Sequence, residues 1–83
     1  MVKGGERDGR ELGRAFGQVV RDRRLQARLS QEALAERADL TRNYISELER
    51  GLKSPTLATV EALAQALESR ASLLVRAAER RRS

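Results

Sequence analysis

The fold of this chain is decided by residues 31–50, which have the sequence QEALAERADLTRNYISELER. Ser30 and Thr41 each stand directly before a run with helical apolar spacing, and both residue types are favoured N-caps. Gly51 follows the second run and is the usual residue after a helix C-terminus. The stretch therefore predicts two short helices, QEALAERA and RNYISELER, separated by the break Asp39-Leu40 and the cap Thr41.

The break between these two helices is too short for them to lie side by side, so we expect them to cross steeply. A steep crossing needs a small residue where the second helix packs, and Ala35 supplies it. Asp39 is placed to adopt the left-handed backbone that such a turn requires, although glycine would adopt it at lower cost. The apolar seam between the helices comprises Leu34, Leu40, Ile45 and Leu48. This is the layout of a helix-turn-helix, whose second helix enters the major groove of DNA. The alternative is an αα corner in a small bundle.

The sequence on both sides of this motif is helical as well. Apolar spacing predicts an amphipathic helix from Glu11 to about Ala27, weakened by glycines at 13 and 17. Thr56 caps a fourth helix, and a fifth runs from Ala71 to Arg80. No segment shows the alternation of a strand, so we predict an all-α fold of five helices. We divide the chain into a flexible arm (1–10), one domain (11–80) and a basic tail (81–83).

Composition excludes several classes of function. The chain has 83 residues, with no cysteine, histidine or tryptophan, one tyrosine and one phenylalanine. Disulfides and thiolate metal sites are excluded, and the commonest general base is missing, so we expect no enzyme, metal, cofactor or small-molecule ligand. No apolar run is long enough for a membrane span or a signal peptide. We therefore expect a cytoplasmic protein with no membrane partner.

Charge points to nucleic acid, although its distribution is uneven. The net charge is +5, and 35% of the residues are charged. Residues 1–28 carry +4, residues 29–68 carry −3, and residues 69–83 carry +4. A basic chain favours DNA or an anionic membrane surface. A membrane-binding helix would need larger apolar groups beside its arginines than Ala77 and Ala78.

Residues 20–67 resemble the lambda-repressor-like, XRE-type helix-turn-helix family. The matching residues are Arg24, Leu29-Ser30-Gln31-Glu32-Ala33-Leu34-Ala35, Tyr44-Ile45-Ser46, Glu49-Arg50-Gly51, Pro55-Thr56-Leu57 and the ending Ala64…Ala66-Leu67. Within the family, residues 40–51 are most similar to the small controller proteins of restriction–modification systems. The resemblance implies a lambda-repressor-like DNA-binding domain and a transcriptional regulator that binds double-stranded operator DNA as a homodimer. Two alternatives stay open: an antitoxin that also binds a toxin protein, and a helical protein-interaction module.

The resemblance also implies roles for individual side chains. Arg24 and Glu49 would form an internal ion pair between the first and third helices. Arg42, Asn43 and Glu47 would read base edges, because arginine pairs with guanine, asparagine with adenine, and a carboxylate with the cytosine amino group. The side chains expected to bind phosphates are Gln31, Thr41, Tyr44, Ser46, Arg50 and Lys53.

Some of these roles have a simpler structural alternative. Tyr44 could only fill the rim of the core, and Glu47 could be a solvated residue that repels phosphate. We expect the homodimer contact along the fourth and fifth helices, through Leu67, Leu73, Leu74 and Ala77. Glu68-Ser69 stands where the family commonly has glycine and a hydrophobic residue, so the turn into the fifth helix is expected to differ.

Overall fold

A computed structural model describes the backbone of residues 2–82 and the side chains of residues 10–82. The described chain forms five helices and no strand: α1 (Val2–Gln26), α2 (Gln31–Ala38), α3 (Arg42–Glu49), α4 (Leu57–Ala66) and α5 (Ala71–Arg82). The prediction of an all-α, five-helix fold is confirmed. Within residues 2–82, none of the helices combines the length and apolar character that crossing a bilayer requires.

The three predicted N-caps are confirmed. The Oγ of Ser30 accepts a hydrogen bond from the backbone N–H of Ala33, at 3.0 Å. The Oγ1 of Thr41 accepts from the N–H of Tyr44 at 3.0 Å, and Thr56 caps α4 in the same way. Each cap satisfies one of the N–H groups that a helix start leaves without an intrahelical partner.

Helices α1 to α4 all end in the same left-handed turn. The residue in that turn is Arg28 (φ 61°), Asp39 (φ 59°), Gly51 (φ 80°) or Glu68 (φ 56°). After α4, the N–H of Ser69 donates to the carbonyl of Ala64 at 2.7 Å, and the N–H of Glu68 donates to that of Gln65 at 3.0 Å. This is the double hydrogen bond of a Schellman motif. The turn into α5 thus forms with glutamate where the family commonly has glycine.

Both terminal helices extend beyond their predicted ends. Helix α1 begins at Val2 rather than Glu11, because a glycine raises the cost of a helix by about 1 kcal/mol without preventing it. Helix α5 continues through Arg81, whose guanidinium contacts Asp22 and Gln18 of α1, so the predicted tail is docked up to Arg82. The separate role of residues 1–10 as an arm stays a prediction. The side chains of residues 1–9, and residue 83, lie outside the described residues.

The core lies between α1 and the other four helices. Its largest fully buried side chains are Val20, Leu34, Ile45, Leu48, Leu63 and Leu74. The predicted seam of the helix-turn-helix is confirmed, with Leu40 at its partly buried edge. Helix α1 packs on α3 and on α5, and α2 packs on α3 and α4. The motif is therefore held from behind by α1, which leaves the opposite side of α3 free.

Candidate nucleic-acid interface

Helix α3 has one buried face and one free end. Ile45 and Leu48 are fully buried, whereas Arg42 and Asn43 are exposed in the first turn. The cap at Thr41 fixes where this turn starts. Because the buried face holds the helix in place, the polar first turn projects from a rigid support.

The position of α3 is fixed by a buried ion pair. The Nε of Arg24 on α1 donates to Oε2 of Glu49 at 2.7 Å, and its Nη2 donates to Oε1 at 3.0 Å. Both residues are only 8% exposed. The predicted pairing of Arg24 with Glu49 is confirmed, in the bidentate geometry that makes such pairs strong and directional.

The same guanidinium also supports the turn between α1 and α2. Its Nη1 donates to the carbonyl of Leu29 at 2.9 Å. Hydrogen bonding to Glu49 raises the pKa of Arg24, and burial opposes this shift only in part. A raised pKa adds stability that is present below the pKa of an unfolded arginine and lost only in strong alkali. Arg24 therefore stays protonated over the whole physiological pH range.

Gln31 is the third member of this network. Its Nε2 donates to Oε1 of Glu49 at 3.0 Å, which joins α2 to the pair between α1 and α3. Gln31 was predicted to contact a phosphate, and this internal contact was missed because nothing in the local pattern places Gln31 beside a residue of α3. One N–H of the amide is used internally, and the other is left to donate outward.

Gly17 lets α1 approach α3 closely. A Cβ at this position would lie 2.0 Å from the backbone oxygen of Leu48 and 3.3 Å from the Cα of Glu49. The sequence analysis treated Gly17 only as a weak point in a helix. In the structure, the absence of a side chain at Gly17 lets the backbones of α1 and α3 touch, which brings Arg24 within reach of Glu49.

The other predicted DNA contacts lie on α3 or in the loop after it. Arg42, Asn43, Thr41, Arg50 and Lys53 are exposed, while Tyr44, Ser46 and Glu47 are partly buried. Tyr44 also packs against the core, as its structural alternative required. The exposure of these side chains is compatible with the predicted roles, and the roles themselves stay predictions.

Two of these side chains have contacts within the protein. The carboxylate of Glu47 lies 4.0 Å from Nζ of Lys53. The Nε of Arg50 donates to the backbone oxygen of Ser46 at 3.4 Å. Both contacts are at the surface, where ion pairs and single hydrogen bonds contribute little to stability. Weak contacts of this kind leave the side chains of Glu47, Lys53 and Arg50 able to exchange partners.

The predicted dimer residues do not share one surface. Leu74 is fully buried inside a single chain, packed in the core with α1, so its assignment to an interface is wrong. Leu67 is partly buried at the end of α4. Leu73 is 47% exposed and lines a groove with Ala77 and three arginines.

A second, apolar groove lies on the side where α4 begins. Its volume is about 230 Å³, and its lining comprises Leu12, Gly13, Phe16, Ser54, Pro55, Leu57, Val60, Val75 and Ala78. We call this surface the apolar groove. Leu57 lies at the mouth of this groove and is 86% exposed. It is the first residue of α4, one turn before Val60 enters the core.

Comparisons with known proteins agree with this geometry. A family model described as helix-turn-helix matches residues 20–74. The control protein C.BamHI of Bacillus amyloliquefaciens is 47% identical over 53 residues, which cover 63% of this chain and 65% of that protein. The immunity repressor of Bacillus phage phi105 is 41% identical over 59 residues, covering 71% of this chain and 41% of the repressor. The chain thus spans less than two thirds of either relative.

A solved structure shows the same likeness. The restriction–modification controller protein C.AhdI of Aeromonas hydrophila superposes with a TM-score of 0.71 at 38% identity. The superposition covers 74% of this chain and 92% of the controller.

Proposed function

This chain belongs to the helix-turn-helix family, and from that premise we propose that it is a sequence-specific transcriptional regulator that binds operator DNA in the cytoplasm. One observation carries the proposal. Arg42 and Asn43 are exposed in the first turn of α3, a helix whose opposite face is locked by Ile45, Leu48 and Glu49. In this motif the N-terminal residues of the second helix reach base edges in the major groove. The relatives named above are regulators rather than enzymes, which supports the same conclusion.

The polar groups around α3 divide into two roles. Arg42 and Asn43 carry the paired donors and acceptors that read guanine and adenine, and Glu47 can accept from cytosine. Gln31, at the start of α2, retains one N–H for a phosphate after its bond to Glu49. The remaining proposed phosphate contacts are Thr41, Tyr44, Ser46, Arg50 and Lys53.

We further propose that the regulator is a homodimer joined through the apolar groove. Among residues 10–82, no charged side chain lines this groove, and Leu57 in its lining is almost fully exposed. A two-fold contact brings the same patch of both copies together, so an uncharged apolar patch is suited to it. The groove that contains Leu73 is lined by three arginines, and self-contact there would oppose like charges.

The narrower role we propose is that of a restriction–modification controller. The likeness to C.BamHI and C.AhdI supports it, and C.AhdI is matched over nearly its whole length. The alternative is an antitoxin-type autoregulator, which would need a surface for a second protein in addition to the DNA-binding face.

The proposal is tested with operator DNA selected from a random pool by binding to the protein. Arg42→Ala should weaken binding to the selected duplex by about 1–3 kcal/mol and relax preference at one base pair, because a bidentate base contact is lost. Gln31→Ala should weaken binding to selected and scrambled duplexes alike. It should also reduce the slope of the logarithm of the binding constant against the logarithm of the salt concentration by about one unit. Titrations at several salt concentrations separate the two effects.

The control is the pair of duplexes itself. Equal weakening of both by Arg42→Ala would remove Arg42 from the base-reading set. Failure of the random pool to yield any preferred sequence would contradict sequence-specific binding altogether.

A further inference from the structure

A groove between α1 and α5 is not used by the proposed DNA contacts or by the proposed dimer. It is an open depression of about 430 Å³ lined by Arg23, Leu73, Arg76, Ala77 and Arg80. We call it the basic groove. Every charged residue in its lining is an arginine, and its apolar residues come from α5.

The three arginines of the basic groove have no acidic partner among residues 10–82. Other arginines of the same two helices do have one: Arg24 pairs with Glu49, and Arg81 pairs with Asp22. Arg23 and Arg80 lie in the last turns of their helices, where positive charge favours the helix dipole. Arg76 lies in the middle of α5, so the dipole does not account for it.

The lining of the basic groove also includes apolar residues. Leu73 is 47% exposed and lies one helical turn before Ala77. A large exposed aliphatic side chain in the same groove as three arginines matches the composition of protein interfaces, which combine apolar contacts with an enrichment in arginine.

Two other occupants suit this groove less well. A second copy of the chain would place the same three arginines opposite each other. A phosphate backbone would pair with the arginines but would leave Leu73 without an apolar contact. Phosphate sites in proteins also draw on helix N-termini, whereas Arg23 and Arg80 lie at helix C-terminal turns.

We propose that the basic groove binds an acidic, amphipathic helix of another protein. The partner places an aliphatic side chain on Leu73 and Ala77, and its carboxylates face Arg23, Arg76 and Arg80. An amphipathic helix presents side chains of both kinds at three- and four-residue spacing, which matches a groove lined by both arginines and apolar residues. This inference does not depend on the DNA-binding role, because none of these residues belongs to the proposed DNA contacts.

The test uses three fluorescein-labelled synthetic peptides and the full chain. The first peptide is a helix of glutamates with leucines at helical spacing, the second replaces its leucines by glutamine, and the third replaces its glutamates by lysine. We expect only the first peptide to bind tightly in fluorescence anisotropy. Arg76→Glu and Leu73→Ser should each weaken binding of the first peptide by about tenfold.

Arg21→Glu is the matched control. It lies exposed on α1, outside the lining of the groove, and changes the net charge by the same amount as Arg76→Glu. Circular dichroism establishes that each variant is folded, and titration of the selected operator duplex on the same samples reports the DNA-binding role separately.

The proposal is supported if the groove variants lose the first peptide while Arg21→Glu retains it, whatever the operator titration shows. The proposal is overturned if Arg21→Glu weakens binding of the first peptide as much as the groove variants do. It is also overturned if the peptide with glutamines in place of leucines binds as tightly as the first peptide. It is also overturned if the groove variants lose random duplex DNA instead of the peptide. A change in oligomeric state with Leu73→Ser would assign the groove to a second copy.

Discussion

At position 49 a single carboxylate joins three helices. It accepts two hydrogen bonds from Arg24 of α1 and one from Gln31 of α2, and it belongs to α3. A buried pair of this kind adds little net stability over an apolar pair, but its geometry fixes where the helices lie. The network is therefore detected by the free energy of unfolding that is lost when only one of its members is removed.

Glu49→Ala should lower the free energy of unfolding by about 3–5 kcal/mol, because it leaves the Arg24 guanidinium buried without its counter-charge. Changing both residues to apolar ones, Arg24→Met with Glu49→Leu, should restore much of this loss. Urea denaturation measures both effects.

Glu47→Ala is the control on the same helix, since its ion pair with Lys53 is at the surface and its loss should cost at most about 1 kcal/mol. Equal unfolding midpoints for Glu49→Ala and the parent chain would show that the buried pair does not hold the helices.

At the scale of elements, the joint between α1 and α3 depends on a missing side chain. Two glycines lie one turn apart in α1, and each would gain about 1 kcal/mol of helix propensity as alanine. At Gly13 the new Cβ would meet the hydroxyl of Ser54, which can rotate away. At Gly17 it would overlap the backbone oxygen of Leu48, which cannot move without shifting α3.

Gly17→Ala should therefore destabilise the protein, by about 1–3 kcal/mol as in other overpacked cores, whereas Gly13→Ala should be neutral or slightly stabilising. Thermal unfolding of the two variants side by side gives the comparison. If both alanines stabilise the chain to a similar extent, the close approach of α1 to α3 is wrong.

The elements were predictable from local chemistry, whereas the close approach of α1 to α3 and the turn after α1 were not. Ser30, Thr41 and Thr56 mark helix starts because a cap acts within three residues. The left-handed conformation of Arg28 carries no such signal, because its residue type disfavours that conformation and tertiary packing imposes it. Gly17 was interpreted only as a local weakness of α1, because the backbone that it contacts, at Leu48, is distant in the sequence.

At the scale of the whole molecule, the exposure of the predicted base-reading residues agrees with the structure, whereas the interface assignment of Leu74 does not. Arg42 and Asn43 are exposed because a helix with one apolar face must expose the other. Leu74 was misassigned because it was expected to have few partners within its own chain, and α1 and α4 cover it there. Helical spacing identifies an apolar face, but it does not say whether that face meets its own chain or another.

Leu57→Asp should convert the proposed dimer to a monomer and weaken operator binding, since it places a charge in the centre of an apolar contact. Its folding should be unchanged, because the side chain is 86% exposed in one chain. Leu73→Asp is the matched substitution at another exposed leucine and should leave the dimer intact. Sedimentation at several concentrations distinguishes the two.

If the dimer forms, its two half-sites on DNA should lie about 10 bp apart, centre to centre. A dimer that dissociates with Leu73→Asp and is unaffected by Leu57→Asp would return the interface to the face that the sequence first indicated.

The packing of α5 on α1 has a consequence for how the protein is made. Leu74 and Ala78 complete the core against a helix that was synthesised first, so the longest-range contacts of the chain close it. Synthesis proceeds at roughly 5–20 residues per second, and contacts of large sequence separation form late in folding. A nascent chain that has exposed α1 to α4 therefore contains every residue of the proposed DNA-binding face and still lacks part of its core. The core can close only when α5 has left the ribosome.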